Sequence, residues 1–221
     1  MLVLVGIITV VAVVAYLVAH HGDIASLQRQ PIPFALAIQV VIDLIAVVYL
    51  VIVLPALGNT TLQGLGFRVP AAQQIGVALA GAVVMIVVVN GLGTLIDAVT
   101  HARHEQEAIR LFVSVRDPAV KAGFAALAVI IAPLAEEFAF RVFIFNAIRR
   151  HGGFWIAAII SGIFFGAAHA DKYAFVPLIF GGIILCAVYA RTRNAWMSMI
   201  THGLFNAVSV IALYFAPQFA K

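Results

Sequence analysis

The sequence contains a single cysteine, Cys186, in 221 residues, and only 10% of its residues are charged. One cysteine excludes a disulfide, a cysteine-ligated zinc or an iron–sulfur cluster within one chain. Soluble domains carry about a quarter of their residues as Asp, Glu, Lys or Arg, so the shortage of charge excludes an ordinary soluble globule. The net charge of +4 comes from Lys and Arg scattered over loop ends. A nucleic-acid partner, which needs a dense basic stripe, is thereby excluded, and phospholipid headgroups are the natural counterpart. No stretch between apolar segments is long enough for a second core, so residues 1–221 read as a single integral membrane domain.

What is present is apolar sequence, 64% of the chain. A helix needs about 20 such residues to cross the hydrocarbon layer. Seven stretches qualify: 2–19, 34–57, 74–97, 119–148, 154–170, 174–190 and 195–216. The expected fold is an all-α, polytopic membrane protein of seven to eight transmembrane helices enclosing an intramembrane cavity. The eighth would be a half-length helix in the long fourth segment, where Pro133 removes a helix hydrogen bond and predicts a break. The first segment lacks a basic flank and a small-residue cleavage site and reads as a retained anchor. The run HARHEQEAIRLF, between Thr100 and Pro118, predicts a helix lying in the interface. The basic turns Arg149-Arg150-His151 and Arg191-Thr192-Arg193 lie on one side in a seven-helix arrangement and read as cytoplasmic.

Against this background stands Glu136-Glu137-Phe138-Ala139-Phe140-Arg141, two carboxylates and a guanidinium inside an apolar segment. An ionised side chain at bilayer depth costs roughly 3 kcal/mol or more, so such residues face a protein interior and mark a working site. Glu137 and Arg141, four apart, are neighbours on a helix and should pair. Glu136 is turned away by about 100° per residue of helix and is left to point into a cavity, where a carboxylate can act as a general base. The next segment ends in Phe165-Gly166-Ala167-Ala168-His169, and the last carries His202-Gly203-Leu204-Phe205-Asn206. His202 and Asn206 share a face and can both donate hydrogen bonds. A base, an imidazole and a histidine–asparagine pair are the parts that amide hydrolysis needs: activate a water, hold an oxyanion, protonate the leaving amine.

EExxxR, FxxxH and HxxxN, in this order on successive segments, resemble the three motifs of the CPBP (Abi) intramembrane proteases, which include the CAAX prenyl endopeptidases. The resemblance spans Pro118 to Pro217. It implies an intramembrane endopeptidase in which Glu136 activates water with His169 as partner, His202 and Asn206 form the oxyanion site, and Glu137, Arg141 and Phe165 support the structure. It also implies a membrane-associated or lipid-modified peptide or protein as substrate and, for so loop-poor a chain, a prokaryotic cytoplasmic membrane. Readings from other classes are a catalytically silent scaffold or immunity protein of the same fold, and a proton-coupled transporter.

Glu136, His169 and His202 are also a sufficient set for zinc, but the motifs lack the HExxH arrangement and an asparagine suits an oxyanion better. A metal-free reaction is preferred, with zinc as the alternative. Counted at about 1.5 Å per residue from the basic turns, Glu136 and His169 come out roughly 20 Å deep and His202 about 13 Å, a mismatch that tilt, a break at Pro133 or a sunken turn before the last helix would have to remove. The Gly162–Gly166 GxxxG predicts a close crossing that brings the helix of His169 to that of Glu136. Asp43, Asn90 and Asp97 read as packing or interfacial groups, His101, His104 and Glu105 as solvated surface, and Asn59-Thr60-Thr61 as a sequon meaningful only in a secretory pathway.

Overall fold

The computed structural model describes residues 61–104 and 106–215, with the isolated positions Val48 and Ile52. The chain divides into two compact units, Met1–Thr60 and Thr61–Lys221, and the helices from Ala72 onward belong to the second. The expected segments 2–19 and 34–57, the count of seven to eight that depends on them, and the readings of Asp43, Asn59 and Glu105 lie outside the described residues.

Every regular element of this second unit, among the described residues, is helical: α1 Ala72–Thr100, α2 Glu107–Ser114, α3 Pro118–Ala126, a π-helical turn Leu127–Ile131, α4 Ala132–Glu137, a second π-helical stretch Phe138–Phe145, α5 Asn146–Ala168, α6 Phe175–Thr192 and α7 Ala195–Phe215. Among the described residues, four helical stretches are long and apolar enough to cross a membrane: Ala72–Thr100, Pro118–Ala168, Phe175–Thr192 and Ala195–Phe215. The second has 51 residues, about 75 Å of helix at 1.5 Å per residue, more than twice the roughly 30 Å of hydrocarbon. It folds back on itself, because Gly153 adopts φ 73, ψ −173, a conformation open to glycine at no steric cost. The five segments expected from 74 onward are therefore present, and the chain is a multi-pass integral membrane protein.

The expected break at Pro133 does not occur, and no separate half-length helix forms there. The preceding turn is wound as π-helix, with the Ala132 N–H bonded to Leu127 O. In that register the partner left without a donor by the proline is Ala128 O, and the Asn206 side chain of α7 donates to it at 2.7 Å. A membrane helix tolerates proline when a π adjustment and a neighbouring side chain satisfy the freed carbonyl. Upstream, Asp117 caps α3 by accepting from the amides of Ala119 and Val120, with Pro118 in the first turn.

A helix does form after Thr100, as α2. It buries Phe112, whose ring meets Phe124 edge-on at 5.6 Å and lies under Lys121. On α1 the buried residues Ala78, Gly81, Ala82, Met85 and Val89 form one stripe at helical spacing, packed against α6 and α7. Met85 and Val89 join Phe165, Leu178 and Leu185 in a core that Phe140 and Phe205 border. The GxxxG crosses a different helix from the one expected. A Cβ on Gly162 would lie 2.7 Å from Ile179 O and one on Gly166 2.8 Å from Phe175 O, so the motif fits α5 backbone-to-backbone against α6. The motif specifies a close approach but not the partner. Contact with the glutamate-bearing helix is made instead by the Ser161 hydroxyl, which donates to Phe140 O at 2.9 Å.

The turn between α6 and α7 is buried. Asn194 and Ala195 are fully covered by residues 61–71: the Ala195 amide donates to Gly66 O, the Asn194 side chain donates to Arg68 O, and Phe67 stacks on Phe138 and meets Trp196. The basic turns at 149–151 and 191–193 lie at the same end, joined by Asn146 donating to the Tyr189 hydroxyl at 2.7 Å. At the other end His104 is not simply solvated surface. It is half-buried, its amide donates to Asp97 Oδ1, and its ring stacks on Tyr173. His101 is exposed, as is Asn90 on the outer face of α1.

Candidate active site

Glu137 and Arg141 are wholly buried and pair one helical turn apart, Oε1 to Nη1 at 3.1 Å. Arg141 has further neighbours: its Nη2 donates to Gly182 O at 3.4 Å, and its guanidinium lies 4.5 Å from the centroid of the Phe165 ring, a cation–π contact in a desolvated setting. The expected ion pair is thus present, but it is not the whole of what Glu137 does. His202, 3% exposed, places Nδ1 3.0 Å from the same Oε1, so one carboxylate oxygen serves α4 and α7 together.

The other ring nitrogen of His202, Nε2, faces Glu136 Oε2 at 3.9 Å. This is too long for a direct hydrogen bond and suits a bridging water. Glu136 retains 29% of its side-chain exposure, yet its Oε2 is buried and has no hydrogen-bond partner. A buried carboxylate oxygen without a protein donor needs an explanation, and a carboxylate placed to act as a general base supplies one. Glu137 Oε2 is likewise buried without a partner.

The depth mismatch counted from the sequence is removed by two features. Between Glu137 and the basic turn the chain is wound as π-helix over Phe138–Phe145, whose i→i+5 bonds take more residues per turn than the α-helical count assumes. The turn leading into α7 is covered by residues 61–71, which starts that helix inside the protein. Close approach is then permitted by Gly203, where a Cβ would lie 2.7 Å from Val129 O. The residue after His202 therefore touches the backbone of the helix that carries the glutamates.

His169 follows the last residue of α5 and is exposed, with Nδ1 2.8 Å from Phe165 O. The Phe165 ring lies edge-on to both imidazoles, 4.8 Å from His169 and 5.5 Å from His202. This buried ring is the spacer between the two histidines. Asn206 contributes one amide hydrogen to Ala128 O and keeps the second. The structure thus brings Glu136, Glu137, Arg141 and His202 into one cluster, with His169 joined through Phe165 and Asn206 one turn from His202. The contribution of Glu137 to His202 was not visible in the spacing, since the i,i+4 pairing with Arg141 accounted for it fully. Imidazole nitrogens and carboxylates are donors that zinc accepts. Among the described residues, however, no three His, Cys, Asp or Glu side chains converge to hold a metal ion, so no step is derived through one.

Residues 118–208 match the family described as Type II CAAX prenyl endopeptidase Rce1-like. The chain is similar to YdiL of Bacillus subtilis (strain 168), named as a membrane peptidase, with 34% identity over 82 residues, 37% of this chain and 34% of that protein. It is also similar to the membrane-embedded CAAX protease MroQ of Staphylococcus aureus (strain USA300), with 38% identity over 99 residues, 42% of this chain and 40% of that protein. The chain spans well under half the length of these curated relatives. No solved structure matches it.

Proposed function

We propose, from the match of residues 118–208 to the CAAX prenyl endopeptidase model, that this chain is a member of that family and an intramembrane endopeptidase acting by a glutamate-dependent, metal-free hydrolysis. The observation that carries the reading is Glu136 Oε2, buried without a hydrogen-bond partner and facing the Nε2 of a buried histidine. A water held there attacks the scissile carbonyl carbon. Its proton passes to the Glu136–His202 pair as the new C–O bond forms, and the carbonyl oxygen becomes the oxyanion. Asn206, with its second amide hydrogen, and His202, once protonated on Nε2, face that oxygen, which is the arrangement that stabilises such intermediates most. Collapse breaks the C–N bond and the stored proton goes to the leaving nitrogen. His169, at the exposed end of α5, assists Glu136 from the mouth of the site. The substrate is a membrane-associated or lipid-modified peptide or protein, because only such a chain reaches a site at bilayer depth, and the setting is a prokaryotic cytoplasmic membrane.

The test is to reconstitute the purified protein and its Glu136→Gln variant in vesicles with bacterial membrane peptides and to compare products by mass spectrometry. New termini that appear only with the unaltered protein are expected. Identical peptide sets from the two proteins would overturn the reading.

A further inference from the structure

The two histidines of the site share a feature that assigns their protons. A backbone carbonyl can only accept a hydrogen bond, so the 2.8 Å contact between His169 Nδ1 and Phe165 O requires the proton on Nδ1. The same holds for His202, whose Nδ1 lies 3.0 Å from a carboxylate oxygen that also faces Arg141 Nη1 at 3.1 Å. An oxygen that faces a guanidinium, which can only donate, is itself an acceptor. Which nitrogen of an imidazole stays bare is set by the hydrogen bond that the other one makes. In a neutral His202 the bare nitrogen is then the one that faces Glu136 Oε2 at 3.9 Å.

We infer that Glu137 is a positioning residue: it fixes His202 as the Nδ1–H tautomer and turns a bare Nε2 toward Glu136, so that the two groups together accept the two hydrogens of one water. This rests on the hydrolytic reading above and deepens it. A separation of 3.9 Å lets both acceptors take slightly bent hydrogen bonds of about 2.8 Å from the same water, with an angle of about 90° at its oxygen. With both hydrogens engaged, the lone pairs of that water are left to point at a carbonyl carbon. His202 therefore cannot donate to an oxyanion at rest, because its only outward nitrogen carries no hydrogen. It becomes a donor after it has taken the proton of the water. The burial of Glu137 and its bond to Arg141 hold the carboxylate in the one place from which it reaches Nδ1.

The test reads the tautomer directly and needs no substrate. The full chain, labelled with 15N-histidine, is placed in nanodiscs at mildly alkaline pH, and the His202 resonances are assigned by their loss in His202→Gln. The expected spectrum has a protonated Nδ1 and a bare Nε2 on His202. Glu137→Asp keeps the charge opposite Arg141 but withdraws the carboxylate by one methylene, and His202 should then shift toward the Nε2–H tautomer while His169, held by Phe165 O, is unchanged. Glu137→Gln retains an oxygen at the original reach and should restore the unaltered spectrum. A His202 protonated on Nε2 in the unaltered protein, or an Asp variant with an unshifted His202, overturns the inference, and the first of these is read even if the variants fail to fold. The expected spectrum in a protein that cleaves nothing would sink the proposed function and leave the tautomer assignment standing.

Discussion

The two arms of the 51-residue hairpin that turns at Gly153 are both largely apolar and built on opposite terms. The first, Pro118 to the basic turn, alternates α and π winding, holds a proline, and buries two glutamates and an arginine to differing degrees. The second, from Phe154 to Ala168, has regular geometry beyond the kink and packs its glycines against α6. Proximity to a neighbour is reached by small residues in one arm and by charge and hydrogen bonding in the other. The difference shows where irregularity has a use: π turns cluster at functional sites, and here one lies on each side of the glutamates, changing the angular spacing of side chains where three helices must converge.

That contrast can be broken most severely at the first arm. Glu136→Gln keeps shape and removes the base, and peptide cleavage should fall about 10²- to 10⁴-fold, measured as product appearance in vesicles with folding verified by size exclusion. Next in size is Arg141→Leu, which strands the buried Glu137 charge. Loss of one partner of a buried pair costs about 3–5 kcal/mol, to be read as a lowered thermal unfolding temperature in detergent. The second arm should respond more mildly and through stability alone. Gly166→Leu drives a side chain into the Phe175 backbone and should cost about 1–3 kcal/mol, with kcat preserved at temperatures where the variant is folded; a selective loss of kcat would show that the seam is part of the site. Ser161→Ala removes the bond that ties the arms together and should cost only about 0.6 kcal/mol, the usual size of an interhelical hydrogen bond in a membrane. The smallest effect is expected from a strong chelator. Cleavage should survive dialysis against it, and a loss restored by zinc would return Glu136, His169 and His202 to the role of ligands.

The legible part of the site was the part governed by local spacing. Glu137 and Arg141 pair as their i,i+4 separation requires, and Phe165 with His169, also four apart, meet as helix neighbours. His202 and Asn206 stand one turn apart on α7 for the same reason. The reach of His202 to Glu137 was not legible, because a depth count of uniform rise assumes regular helix, and neither the π winding after Glu137 nor the covered turn before α7 has a sequence signature of its own. Asn206 reads as an oxyanion donor, with an interhelical hydrogen bond as the competing reading of such a residue in a membrane. Its bond to Ala128 O appears only once Pro133 and the π turn are seen to leave that carbonyl free. Gly203 gave no signal either, since one glycine in an apolar helix says nothing of what comes near it.

From the sequence alone came the membrane setting, the apolar helices from residue 72 onward and the presence of costly polar groups on three helices, because hydropathy and helical period are properties of neighbours along a chain. Which of those groups meet was decided by tertiary structure. A hydrogen bond between Glu137 and His202, 65 residues apart, depends on where each helix begins, how it is wound and which backbone surfaces lie bare enough to touch, and these are set only when the helices pack.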